Sequence, residues 1–156
     1  MLQIRWHGHS CFELTDSQTT VITDPHDGDS LNLPPPPTTA DAVTISHDHQ
    51  DHISGANQYT CPVLTEPIDK TIGTARLRGV ECWHDDQRGR LQGPNIAWNI
   101  ILNGIQVTHL GDLGHFLKAA QMFQIGTPEI LMVNTGADTA LAEDNIALLS
   151  PKIIIP

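Results

Sequence analysis

Positive charge is scarce in this chain. Eight Lys and Arg stand against 18 Asp and Glu, so the formal net charge is −10 over 156 residues. A protein that grips a phosphate backbone needs a basic face, so nucleic acid is not the expected partner. The shortage does not bar phosphate from a metal centre, because bound dications reverse the sign of their site. Long apolar runs are missing too. With no stretch of about 18 apolar residues, no membrane span is expected. The opening Met1-Leu2-Gln3-Ile4-Arg5 lacks the basic-then-apolar layout of a secretory leader. Cysteine is limited to Cys11, Cys61 and Cys82, an odd and widely spaced set without a CxxC pair. That set excludes a disulfide framework and fits a reducing cytoplasm. Apolar residues make up 39%, enough for one core, and the length suits a single domain over 1–156.

Histidine, by contrast, is abundant. The chain has nine, where ordinary usage would give roughly three or four. His26, His47, His49, His52, His84 and His115 all lie close to acidic residues in the sequence.

Hydropathy patterning suggests many short strands and few helices. Alternation at Leu2, Ile4 and Trp6 predicts a first strand, and a second follows around Cys11 to Leu14. Asp16-Ser17-Gln18 has turn chemistry, and residues 19–23 are β-branched and apolar. Asp24-Pro25 ends that strand, since proline cannot continue a ladder. Residues 25–40 have no period, and the prolines at 34–37 read as a stiff spacer. Residues 42–46 form a buried-strand pattern. One or two helical turns are expected over 53–59, then strands at 62–65 and 80–84. Asn103-Gly104 between apolar runs at 96–102 and 105–110 is a strong hairpin signal. Helices are expected over 116–125 and 139–149, with strands at 130–133 and 153–155. No internal repeat is present, and the mixture suggests an α/β sandwich.

Chemistry concentrates in His47-Asp48-His49-Gln50-Asp51-His52, directly after the 42–46 strand. Loop positions at strand C-termini commonly carry function. Imidazole and carboxylate at this spacing can turn toward one small volume, and they suit zinc, manganese or iron. A solvated polar loop, or an adventitious zinc or nickel site without catalysis, would use the same residues with no further consequence.

The His-x-His-x-Asp-His pattern after a buried strand resembles the signature of the metallo-β-lactamase superfamily. Gly8-His9-Ser10-Cys11-Phe12 and Gly111-Asp112-Leu113-Gly114-His115 resemble its branch of small metal-dependent hydrolases, which includes L-ascorbate-6-phosphate lactonase. The resemblance runs over nearly the whole chain. It implies a four-layer αββα sandwich with metals at one edge of the two sheets. It further implies one or two Zn2+ ions, with Mn2+ or Fe2+ as substitutes. His47, His49 and His84 would hold the first ion, Asp51 and His52 the second, and Asp112 would bridge them. His9 and His115, beside glycines near that edge, would orient substrate, donate a proton or support ligands. Asp24 matches a position that holds a ligand histidine in its tautomer, though a turn acid before proline reads equally well.

The implied activity is hydrolysis of a small ester, lactone or phosphoester by a metal-bound hydroxide, with Asp51 orienting the nucleophile. Two departures qualify the resemblance. Relatives carry a further histidine beyond a strand like 152–156, so the second ion here would rely on Asp51, His52 and Asp112. The fold is expected to be short at that end, which would leave an edge favouring self-association into a homo-oligomer. Residues 133–137 also replace a turn rich in proline and glycine. The rival reading is a degenerate or truncated metal-binding domain that acts through assembly without catalysis.

Overall fold

The computed structural model describes residues 1–136 and 138–156. Its first sheet begins as a meander of β1 (Gln3–Trp6), β2 (Phe12–Thr15) and β3 (Thr20–Thr23), and continues through β4 (Ala42–Thr44) and β5 (Val63–Leu64). Pairing is antiparallel from β1 to β3 and parallel from β3 to β5. The β2–β3 turn forms because Asp16 Oδ1 accepts from the Gln18 and Thr19 amides at 3.0 and 2.9 Å.

The second sheet is ordered β11-β10-β9-β8-β7-β6. These strands are β6 (Asp69–Ile72), β7 (Ala75–Trp83), β8 (Pro94–Leu102), β9 (Ile105–His109), β10 (Ile130–Met132) and β11 (Ile153–Ile155). Its first four strands form an antiparallel meander, and its last two pair in parallel. Asn103 and Gly104 both take positive φ, 52° and 75°, as a two-residue β8–β9 hairpin demands.

Burial sorts the side chains into four layers. Phe12, Leu14 and Val21 of the first sheet meet Leu77, Trp98, Ile100 and Val107 of the second. β8 is buried on both faces, hence its nearly unbroken apolar run. Behind the second sheet, Cys82, Ala97 and Leu131 pack on Ile125 of α2 (Ala119–Ile125) and on Ala142 and Leu149 of α3 (Thr139–Leu149). Behind the first sheet, Ile22 and Val43 pack on Ile53 of α1 (Gln50–Ile53), on Ala56 and on Tyr59. The result is the αββα sandwich of the metallo-β-lactamase fold. Two hydrogen bonds pin one sheet to the other near an edge: the Ile96 amide donates to Ser46 O, and Trp98 Nε1 donates to Ile45 O, both at 2.8 Å.

Several elements differ from expectation. The helical turn begins at Gln50 rather than 53, with a separate 3-10 turn at Ala56–Gln58. Between them, Gly55 packs so tightly on the His26 carbonyl that a side chain there would collide. α2 starts at Ala119, not 116, because Gln121 Oε1 accepts from the Lys118 amide at 3.0 Å and sets the first turn there. β6 was not legible, since its exposed Asp69, Lys70 and Thr71 give no apolar period. Its hairpin with β7 turns at Gly73, φ 56°. No helix among the described residues is long and apolar enough to cross a membrane.

Candidate metal centre

The site lies where β3, β4, β7 and β9 end, all at one edge of the sandwich. Asp24 follows β3, Ser46 and His47 follow β4, His84 follows β7, and Asp112 sits three residues past β9. His49 takes an extended backbone before α1, which turns Asp51 and His52 back toward the same edge.

Three imidazoles form one group. The ring centroids of His47 and His49 are 4.6 Å apart, and each is 4.9 Å from that of His84. One ligand nitrogen from each lies within 4.8 Å of the others. His9, Asp51 and His52 form a second such group. Asp112 stands between them, with its Oδ2 at 3.2 Å from His84 Nε2, 3.5 Å from His52 Nε2 and 3.9 Å from His47 Nε2.

Hydrogen-bond arithmetic fixes which nitrogen of each ring is free. Asp24 is fully buried, and its Oδ1 accepts from the Ser46 amide at 2.7 Å. Its Oδ2 accepts from Ser46 Oγ at 2.5 Å and from His52 Nδ1 at 2.8 Å. The only proton on Ser46 Oγ is thereby spent, so Oγ accepts from His47 Nδ1 at 2.9 Å. One carboxylate thus holds the Nδ1–H of His52 directly and that of His47 through Ser46, and turns both Nε2 atoms toward the edge. Those two Nε2 atoms are buried and have no hydrogen-bond partner. A buried polar atom without a partner costs about 1–3 kcal/mol, and a cation beside Asp112 would satisfy both. On this observation the donor set fits a divalent ion.

The electrostatics agree. Burial, reinforced by repulsion from His52, pushes His47 down to about 4, so it is neutral and ready to ligate. Burial also acts against a charged His52, but Asp112 and Asp24 outweigh it and raise the group to about 10. Burial would raise Asp112 as well, yet the charge of nearby His52 and the Asn134 amide hold it well below the usual carboxylate range. Carboxylates that stabilise one proton on His52 favour a divalent cation in its place, since the attraction scales with charge.

Asp112 is itself braced. Asn95, fully buried, donates to Leu110 O at 2.9 Å and accepts from the Asp112 amide at 3.1 Å. Asn134, just past β10, donates to Asp112 Oδ1 at 2.6 Å and leaves Oδ2 to the histidines. Gly111 makes the turn at φ 57°, where a Cβ would lie 2.5 Å from both Asn95 Oδ1 and Ser46 Cβ.

Among the expected site residues, His47, His49, Asp51, His52, His84 and Asp112 converge. His9 joins them, held at φ 51° with its Nε2 at 3.3 Å from Asp51 Oδ2. His115 does not join. Its Nδ1 donates to Phe116 O at 2.7 Å and its Nε2 accepts from the Trp83 amide at 3.2 Å, so both nitrogens are engaged in holding the chain. Cys11 and Cys82 are fully buried, and burial raises each thiol to about 12, which excludes them as nucleophiles. Ser46, Asn95 and Asn134 were missed as site residues, because single polar side chains carry no motif. His109 was missed as well. It is buried with Nδ1 unpartnered at 3.9 Å from Asp24 Oδ2, and a histidine at an inward position of an apolar strand was the available signal.

The 133–137 turn noted in the sequence is described up to Gly136. Ala137 lies outside the described residues.

A cleft of about 500 Å³ opens beside the centre, with His84 and Asp112 on its lining.

Comparison with known proteins agrees with this geometry. Residues 3–156 match the model of the beta-lactamase superfamily domain family. A solved Thermotoga maritima structure, assigned as a Zn-dependent hydrolase of the metallo-β-lactamase superfamily, is 35% identical. It superposes with a TM-score of 0.80 over 100% of this chain and 75% of its own. A UPF0173 metal-dependent hydrolase of Thermoplasma acidophilum is 25% identical over 185 residues, covering 99% of this chain and 82% of the relative. The metallo hydrolase Igni18 of Ignicoccus hospitalis is 19% identical and shares the fold, with a TM-score of 0.69 over 99% of this chain and 81% of its own.

Proposed function

The chain belongs to the beta-lactamase superfamily domain family and to its metal-dependent hydrolases, and from that footing we propose how its residues divide the work. His47, His49 and His84 would hold a first divalent ion, zinc in the first instance. Asp51 and His52 would hold a second, with Asp112 available to both. When bound, such ions make a water acidic near neutral pH and polarise the group under attack, on an ester, lactone or phosphoester. Asp24, through His52 directly and through Ser46 to His47, engages both Nδ1 atoms and so aims the two Nε2 atoms as ligands. The Asp51 carboxyl, 41% exposed, orients the attacking water by accepting its hydrogen bond. His9, within reach of Asp51, delivers a proton to the leaving oxygen. The three free thiols fit a reducing compartment such as the cytoplasm.

One observation carries this reading. Two buried Nε2 atoms without partners face the carboxylate oxygen that also meets His84. The test is the double substitution His47→Ala and His49→Ala, with elemental analysis and a screen of ester, lactone and phosphodiester substrates. Loss of both metal and turnover is expected. Undiminished hydrolysis would refute the proposal. Full metal in the unaltered chain with no turnover would favour a binding domain that works through assembly.

A further inference from the structure

We infer that the cleft beside the metal centre is a pocket for an uncharged apolar acyl group, which makes the substrate a neutral ester or lactone rather than a phosphoester. The inference rests on the hydrolase reading above and narrows it.

The walls carry the first half. Leu91 and Phe116 are 67% and 60% exposed, among the most exposed large apolar side chains of the protein. Both line the cleft, with Leu113 and Leu141. These four come from three separate segments: the 85–93 loop, the stretch after Asp112, and α3. Apolar surface left in water costs stability, and its convergence on a concave site beside reactive groups is the usual form of a ligand pocket. The Leu91 wall is also rigid. The Asp85 carboxylate accepts from the backbone amides of Gln87, Gly89, Leu91 and Gln92 at 2.8–3.0 Å. A wall fixed in this way loses little freedom when a ligand binds.

The charges carry the second half. Asp86, Asp138 and Asp144 line the cleft, and among the described lining residues none is Lys or Arg. Arg88 and Arg90 lie on the 85–93 loop but do not line the cleft. Phosphate is ordinarily held by guanidinium or ammonium groups or by a free helix N-terminus. The first turn of α3 is not free, because Asp138 Oδ1 already accepts from the Leu141 amide at 3.0 Å. Metal ions would serve the reacting atoms. Beyond them, the acidic side chains Asp86, Asp138 and Asp144 would repel a phosphate group in the cleft, with no Lys or Arg among the described lining residues to offset them.

The test uses the zinc-loaded full chain. Binding of acetohydroxamic, hexanohydroxamic and phenylphosphonic acids is measured by calorimetry, and hydrolysis is followed with 4-nitrophenyl acetate, 4-nitrophenyl hexanoate and bis(4-nitrophenyl) phosphate. Each methylene buried is worth roughly fourfold in affinity. Hexanohydroxamate is expected to bind more than about tenfold tighter than acetohydroxamate. Phe116→Ala with Leu91→Ala, both surface changes, should cut that ratio to about threefold or less. Equal affinities, a ratio that survives the double substitution, or tighter phosphonate binding would each overturn the pocket. Turnover of the phosphodiester with no chain-length selectivity would sink the pocket and leave the hydrolase standing. Selectivity in binding without turnover of any ester would do the reverse.

Discussion

Asn134 offers a sharp test of how the centre is held. Its amide donates to Asp112 Oδ1 at 2.6 Å, a charge-assisted contact, and it is itself held because the Gly136 amide donates to Asn134 Oδ1 at 2.8 Å. With Oδ1 tied, the carboxylate presents Oδ2 alone to His84, His52 and His47. Asn134→Ala frees Oδ1, and the carboxylate can then rotate. A hydrogen bond to a charged group contributes about 1.5–3 kcal/mol. Asn134 is exposed while the Asp112 side chain is only 16% exposed, so solvent replaces part of the lost bond and the low end applies. About 1.4 kcal/mol corresponds to tenfold, inside the span of about 10–100-fold seen when groups supporting a metal ligand are removed. Zinc affinity, measured by competition with a chromogenic chelator, should therefore fall about tenfold while the fold is unchanged by circular dichroism. Asn134→Gln should recover part of the loss if its amide reaches Oδ1. The d–d spectrum of the cobalt-substituted chain should shift in the alanine variant, since the geometry around Asp112 changes. An unaltered spectrum together with affinity within a factor of about two would refute the bracing role.

Other consequences can be checked with equal economy. Asp24→Asn should destabilise the chain by about 3–5 kcal/mol, because it breaks a buried ion pair and the Ser46 relay together; urea unfolding reads this, and a change below about 1 kcal/mol would contradict it. Gly111→Ala should lower both stability and zinc content, since the new Cβ meets Asn95 and Ser46 at a positive φ; wild-type values in thermal melts and elemental analysis would count against the packing described. Asp85→Ala should speed amide exchange at Gln87, Gly89, Leu91 and Gln92, while the β8 amides stay protected. Iodoacetamide should modify Cys61 first in the native chain, with Cys11 and Cys82 reacting only after unfolding, as mass spectrometry would record.

The parts of the site legible in the sequence were those in which several ligands crowd into a few residues. His47, His49, Asp51 and His52 announce themselves by spacing, and a strand ending just before them places them at an edge. His84 and Asp112 were legible only through resemblance, since one histidine or one aspartate after a strand has many uses. Ser46, Asn95 and Asn134 were not legible at all. Their importance lies in which atom each reaches across the fold, and local patterning does not encode that. The fold shows the same division. The Asn103-Gly104 hairpin and the buried 42–46 strand follow from local chemistry. β6 is made by its pairing with β7, so its own residues give no sign of it. His115 looked chemical because it ends a glycine-flanked motif, whereas both of its nitrogens are occupied in joining Trp83 to Phe116.

The ligands reach the edge from both sheets, with His47, His49 and His52 after β4 of one and His84 and Asp112 after β7 and β9 of the other. An ion held among them would join segments 32 to 65 residues apart, from His84 back to His52 and from Asp112 back to His47, much as a cystine bridge does. Such a junction can close only once the two sheets have docked, so tight metal uptake belongs to the last stage of folding. Before that stage the chain offers only the isolated 47–52 cluster, a weak and unselective trap. The cell's choice of metal for this protein would then be made by the finished sandwich and not by the nascent chain.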